Sequence, residues 1–198
     1  VTGTFSGVLS DAAANGAIGF SGAGKTILTG ANTYAGATTI DAGATLQIGA
    51  GGTSGSLGSG AVTNNGALVV NRSDTATIAN AISGAGTLTQ AGAGTTVLTG
   101  ANSYSGATSI NSGTLQVGAG GTTGSLGSGA VTNNGALVFN RSDAFTVANA
   151  ISGLGTISIL GAGATTLAGV NTFSGGTTVG VGATLAISSS AALGSGFL

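Results

Sequence analysis

The stretch GSLGSGAVTNNGALVVNRSDTATIANAISG at 55–84 returns as GSLGSGAVTNNGALVFNRSDAFTVANAISG at 124–153, identical at 26 of 30 positions. Recurrence this close at a fixed period marks a tandem array, in which each unit buries its apolar side against its neighbours instead of closing a core alone. Within the stretch, Gly or Asn interrupts each apolar run after a few positions, so the elements must be short.

A second motif extends the array. Residues 28–40 read LTGANTYAGATTI, 98–110 read LTGANSYSGATSI and 167–179 read LAGVNTFSGGTTV. The first spacing is one position longer than the second, the extra residue being Ala44. Each is followed by an alternating tetrapeptide: TLQI at 45–48, TLQV at 114–117 and TLAI at 184–187. Leu and Ile or Val fall on one parity, the pattern of a half-buried strand. Runs at 67–70, 75–78, 87–89 and 95–98 read the same way. No window carries a capped helical stripe, and Gly every few positions would dismantle one. The chain reads as all-β.

Asn65-Gly66 and Asn134-Gly135 are hairpin signals that would suit an antiparallel meander. The same residues serve the corners of a solenoid, where a left-handed backbone is tolerated. Strands this short gain more by stacking many deep than within a sandwich. The favoured architecture is a right-handed parallel β-helix (a solenoid). Dividing the 69-residue repeat into three coils gives about 23 residues per coil, a natural length for three short strands and three corners. The whole of 1–198 is expected to be a single β-helix segment, with units near 15–83, 84–152 and a partial 153–198. Eight to nine coils at ~4.8 Å would span roughly 40 Å. Leu46, Ile48, Leu68, Val70, Leu98, Ile110, Leu115, Val117, Leu137 and Phe139 are expected to line the interior.

Composition narrows the function. Glycine fills 41 of 198 positions, roughly three times ordinary usage, with no G-X-Y register or proline to suggest collagen. Charged residues are 4% and apolar ones 41%, against the signature of disorder. Net charge −1 offers no field to grip phosphates or anionic lipid, so nucleic acid is not an expected partner. A charge near zero also leaves self-association unopposed. No stretch approaches the ~20 apolar residues of a membrane helix, and eight scattered aromatic residues make poor barrel girdles, so membrane insertion of this segment is not expected. Cysteine is absent, which rules out a disulfide scaffold. Val1 opens the chain without methionine or leader, the beginning expected of an excised or processed piece.

Candidate chemistry is sparse. Asp11, Asp41, Asp74 and Asp143 are too dispersed for the paired carboxylates of glycoside hydrolysis, and there is no His to act as base. Gly19–Thr26, GFSGAGKT, formally matches a phosphate-binding loop. That reading needs a helix after Lys25, whereas a strand-like repeat follows and Thr95 replaces the lysine in the next copy; Lys25 reads as a solvated corner residue. Asn71-Arg72-Ser73-Asp74 and Asn140-Arg141-Ser142-Asp143 read as turns with an exposed ion pair of little energetic weight, ahead of a sugar contact. Tyr34, Tyr104 and Phe173 share one repeat position; the third lacks a hydroxyl, which favours packing over ligand binding. Thr38-Thr39 and Thr177-Thr178 do not extend into the regular grid an ice-binding face needs. No Asp cluster matches a calcium loop. No catalytic, cofactor or metal residue is assigned.

The run GAGTLTQAGAGTTVLTGANSYSGATSINSGTLQVG at 84–118 closely resembles the passenger-associated repeat of bacterial autotransporters, and GSLGSGAVTNNGALVFNRSD at 124–143 resembles what often follows it in large repetitive passengers. Together the patterns cover nearly the whole chain, in worn form beyond Ile151. The resemblance implies a β-helical passenger exported through a C-terminal translocator barrel and displayed at the cell surface or released. It implies a stem that aids secretion and spacing, not catalysis. The expected function is therefore a non-enzymatic stalk, with adhesion or self-association through end-to-end stacking or lateral contacts. The alternatives are a fibre or matrix subunit stacking through open coil ends and, further off, a carbohydrate-active β-helix enzyme.

Overall fold

The computed structural model describes residues 1–11 and 16–196. The alternation read from sequence becomes a stack of short parallel strands, and every strand pairing among the described residues is parallel. The fold is a parallel β-solenoid of about nine turns. One face is an eight-stranded sheet: Thr2–Phe5, Lys25–Leu28, Thr45–Ile48, Ala67–Val70, Thr87–Gln90, Thr108–Ile110, Val131–Asn133 and Ile151–Ser152. A second face stacks Thr75–Ile78, Thr95–Leu98, Thr114–Val117, Ala136–Phe139, Thr156–Ile159 and Thr177–Val179. The third holds Ile18–Phe20, Thr38–Ile40, Val62–Asn64 and Ile82–Ser83, then Phe145–Val147, Ala164–Leu167 and Thr184–Ile187. Between those two groups the stack continues without strand geometry, as Ser103 N donates to Ile82 O at 2.8 Å and Ser128 N to Tyr104 O at 2.9 Å.

Because successive side chains point to opposite faces, each strand sends one parity inward. Leu46 faces Leu68, which faces Leu88, on the first sheet. Leu115 faces Leu137 and Val117 faces Phe139 on the second. All ten residues expected in the interior are buried, none more than 3% exposed. Asn65-Gly66 is a corner, not a hairpin. Gly66 is needed there for close approach, since a Cβ would collide with the carbonyls of Ala44 and Asp41 in the coil beneath.

The coil is shorter than one third of the repeat. Lys25 faces Thr45, Ala67 faces Thr87 and Val131 faces Ile151, so a coil takes roughly 20 residues. Thr95 reaches Thr114 with one fewer and Thr38 reaches Val62 with four more. The sequence repeat therefore does not close on whole coils. Thr45–Ile48 lies on the first face and its equivalent Thr114–Val117 on the second. Thr75–Ile78 lies on the second and Phe145–Val147 on the third; Val62–Asn64 lies on the third and Val131–Asn133 on the first. One repeat unit thus winds three and one-third turns, ten faces in place of nine. The coil length expected from dividing the repeat by three is corrected downward to this shorter value.

Candidate functional site

Two equivalent Gly-rich loops, at 49–60 and 118–129, depart from the plain coil, each held by an arginine that arrives in the following coil. Arg72 follows the strand Ala67–Val70, so its side chain lies over the loop that leaves Thr45–Ile48 one coil below. Its Nη1 donates to Gly55 O at 2.6 Å and its Nη2 to Thr53 O, while Nε and Nη2 hold Asp74 at 2.8 and 2.7 Å. Arg141 does the same with Gly124 O, Thr122 O and Asp143.

The arginine side chains are only 15% and 12% exposed. The expectation of an exposed ion pair at a turn is corrected on this point: the guanidinium is a clamp between coils, and the planar fork suits two carbonyls and a carboxylate at once. The hydrogen bonds from the guanidinium, together with its charge, hold Asp74 and Asp143 below the usual carboxylate range, outweighing the opposing effect of desolvation.

Below each loop runs a cleft. The first, about 360 Å³, lies between Asn32, Ser56, Leu57, Thr77 and Asn80 and reaches inward to Ile48 and Val70. The second is its repeat copy, between Asn102, Ser125, Leu126, Thr146 and Asn149, but Phe145 stands where the first has Ala76. The Arg141 guanidinium carbon sits 4.5 Å from the Phe145 ring centroid, and Phe145 meets Phe139 at 6.1 Å with planes inclined by 43°. The second cleft, about 370 Å³, is of similar size; Phe145 forms part of its wall, and its lining stops short of Val117 and Phe139, the counterparts of Ile48 and Val70.

The other singled-out residues fall elsewhere. Tyr34, Tyr104 and Phe173 are at most 1% exposed. Each tyrosine hydroxyl shares a 2.8 Å hydrogen bond with Thr38 or Thr108, and burial pushes the Tyr104 phenol up despite that bond. They pack the interior and present nothing to a sugar. Lys25 is half-buried at the start of the strand Lys25–Leu28 and is not a corner residue. Gly19 sits within the strand Ile18–Phe20, so the GFSGAGKT match has strands on both sides and no helix to cradle phosphate. Among the described residues, no group of three or more His, Cys, Asp or Glu gathers as a metal site.

The asparagines tie the coils together, a role that the sequence motifs leave unmarked. Asn64 and Asn133, both 0% exposed, donate to Thr87 O and Thr156 O in the next coil at 2.8 and 2.9 Å. Asn102 accepts from Ile82 N and donates to Ser125 O, bridging the coils on either side. Asn80 ties Gly58 and Gly60, and Asn149 ties Gly127 and Gly129. Their recurring place in the repeat near Gly is the sequence signal for this role, since one carboxamide can donate and accept across neighbouring coils.

The family model named passenger-associated-transport-repeat matches residues 21–48, 88–117 and 160–187. No curated protein and no solved structure matches the chain. Each matched segment ends on an alternating tetrapeptide strand, Thr45–Ile48, Thr114–Val117 or Thr184–Ile187. With about nine turns of parallel coil stacked on these units, three segments of the chain are similar to the passenger-associated-transport-repeat, a pattern consistent with an autotransporter passenger that carries such repeats.

Proposed function

We propose that this chain is a non-catalytic stalk segment of an autotransporter passenger, displayed outside the cell or at its surface. The observation that carries the reading is the unbroken apolar column inside coils built from three transport repeats. A parallel stack at ~4.8 Å per coil makes roughly 40 Å of reach. Its sides are Thr, Ser, Asn and Gly, and its few charges are mostly committed to the loop clamps. Each coil docks on the one before it by nearest-neighbour contacts, so the stack can grow vectorially as chain emerges from a translocator barrel. The absence of cysteine suits such passage.

The test is surface display. A passenger carrying the segment between an epitope and its translocator should expose the epitope to external protease, and one whose segment has Leu115 and Leu137 changed to Asp should stall. Equal display of both would remove the stalk and export role. Turnover of a polysaccharide by the isolated segment would remove the non-catalytic reading.

A second reading, self-association, draws on the net charge of −1, which leaves association unopposed, and on the exposed apolar side chains Phe5, Val8, Val179 and Ile187, each more than one third exposed. Light scattering that stays flat across concentration would eliminate it.

A further inference from the structure

Asn-Gly is the dipeptide most prone to spontaneous loss of side-chain ammonia, because glycine leaves its amide nitrogen unhindered. That nitrogen attacks Cγ of the asparagine, ammonia leaves, and a cyclic imide forms. Water then opens either carbonyl of the ring to give aspartate or isoaspartate. Asn65-Gly66 and Asn134-Gly135 stand at exposed corners in both repeats. In each, however, both partners of the reaction are engaged. Gly66 N donates to Asn64 Oδ1 and Gly135 N to Asn133 Oδ1, at 3.2 Å. Asn65 Oδ1 accepts from Ala85 N and Asn134 Oδ1 from Leu154 N, again at 3.2 Å, which turns the carboxamide toward the next coil. Asn64 and Asn133 are themselves pinned by the bonds they donate to Thr87 O and Thr156 O.

We propose that Asn65 and Asn134 are latent deamidation sites that the stacked coils hold silent, and that Asn64 and Asn133 are the positioning residues that withhold the attacking nitrogen. Reaction then waits on local opening of the corner. Each event adds one negative charge to a chain of net charge −1. Isoaspartate also adds a methylene to the main chain where Gly66 lies against the Ala44 and Asp41 carbonyls, so a reacted corner cannot restack. For an exposed stalk this makes the corner a one-way record of unfolding.

The chain's three basic residues make the test direct. Trypsin cuts after Lys25, Arg72 and Arg141, placing Asn65 on peptide 26–72 and Asn134 on 73–141. Folded and denatured protein are incubated at mildly alkaline pH and then mapped by mass. The folded chain should react at least ~10-fold more slowly at both sites, the factor imposed by ~1.4 kcal/mol of opening free energy. Asn64→Ala should speed Asn65 while leaving Asn134, the internal control, unchanged. Asn64→Asp keeps an acceptor for Gly66 N and should leave Asn65 slow. Equal rates in folded and denatured wild type overturn the proposal, as does equal acceleration by the two variants. If Asn64→Ala loses the fold, revealed by Asn134 accelerating as well, Asn64→Asp carries the test: fast reaction at Asn65 in the folded Asp variant refutes the positioning role.

Discussion

Arg72 and Arg141 do more than their position in a turn suggests, because a guanidinium can satisfy several carbonyl and carboxylate oxygens that would otherwise face each other. Arg141→Ala strips two loop carbonyls and Asp143 of their donor and loses the ring contact with Phe145. The expected cost is about 1–3 kcal/mol, of which the ring contact supplies ~0.5–1. Arg72→Ala, with Ala76 in place of that ring, should cost less. Hydrogen exchange in the loops 49–60 and 118–129 checks both. Protection unchanged by either substitution would mean the loops hold themselves.

The carboxylates give the clamp a pH dependence. Asp74 and Asp143 have folded pKa values below their unfolded ones. Their contribution is therefore complete above the unfolded carboxylate value near ~4 and is lost as pH falls below it through the folded value. Asp74→Asn with Asp143→Asn should flatten the fall in thermal midpoint across that acid window and change little near neutrality beyond a constant offset. A wild type whose midpoint is already level from neutral to strongly acid pH would contradict it.

At the scale of elements, the two copies form a natural comparison. They share loop, clamp and cleft, and among the four positions at which 55–84 and 124–153 differ, the largest changes in bulk are Ala76 against Phe145 and Val70 against Phe139. Phe145 walls the second cleft beside Arg141, while the first, of similar volume, reaches inward to Ile48 and Val70. Ala76→Phe should therefore be tolerated and stabilising by about 1 kcal/mol, through a gained cation–π contact and apolar burial. Val70, smaller than Phe139, leaves room for the ring, so overpacking is not expected. Denaturant unfolding reads the change. A lower midpoint would show that the first coil cannot accept its neighbour's side chain.

On the scale of the whole molecule, ten faces per repeat advance each unit by one third of a turn and about 16 Å along the axis. Equivalent loops then look in three directions in turn, returning to one side only every third repeat, after about 48 Å. No side carries the same groups in every unit. In a chain with almost no charge, this breaks up the identical flat ladders that favour lateral pairing. Spin labels at Thr53→Cys and Thr122→Cys measure the advance. Repeats in phase would place them ~14 Å apart along the axis, whereas rotation adds the width of the solenoid and carries them beyond ~20 Å.

Alternation of Leu and Ile with Thr and Gln at 45–48 and 114–117, and Gly or Asn after each run, was enough to determine strands, corners and inward parity. Those are local properties: backbone pleat and turn chemistry act within a few positions. The same locality explains why the arginines were legible as turn residues but not as clamps, since their carbonyl partners lie 17 and 19 positions away. The number of corners needed to close a coil is not local. It depends on how bulky interiors and loops of unequal length fit around a common axis, and it can shift from coil to coil. The sequence by itself therefore determined that this chain is a solenoid of repeated units. Only the tertiary structure decided that the units wind past whole turns, because coil closure is settled by packing around the axis and the residue period by the chain alone.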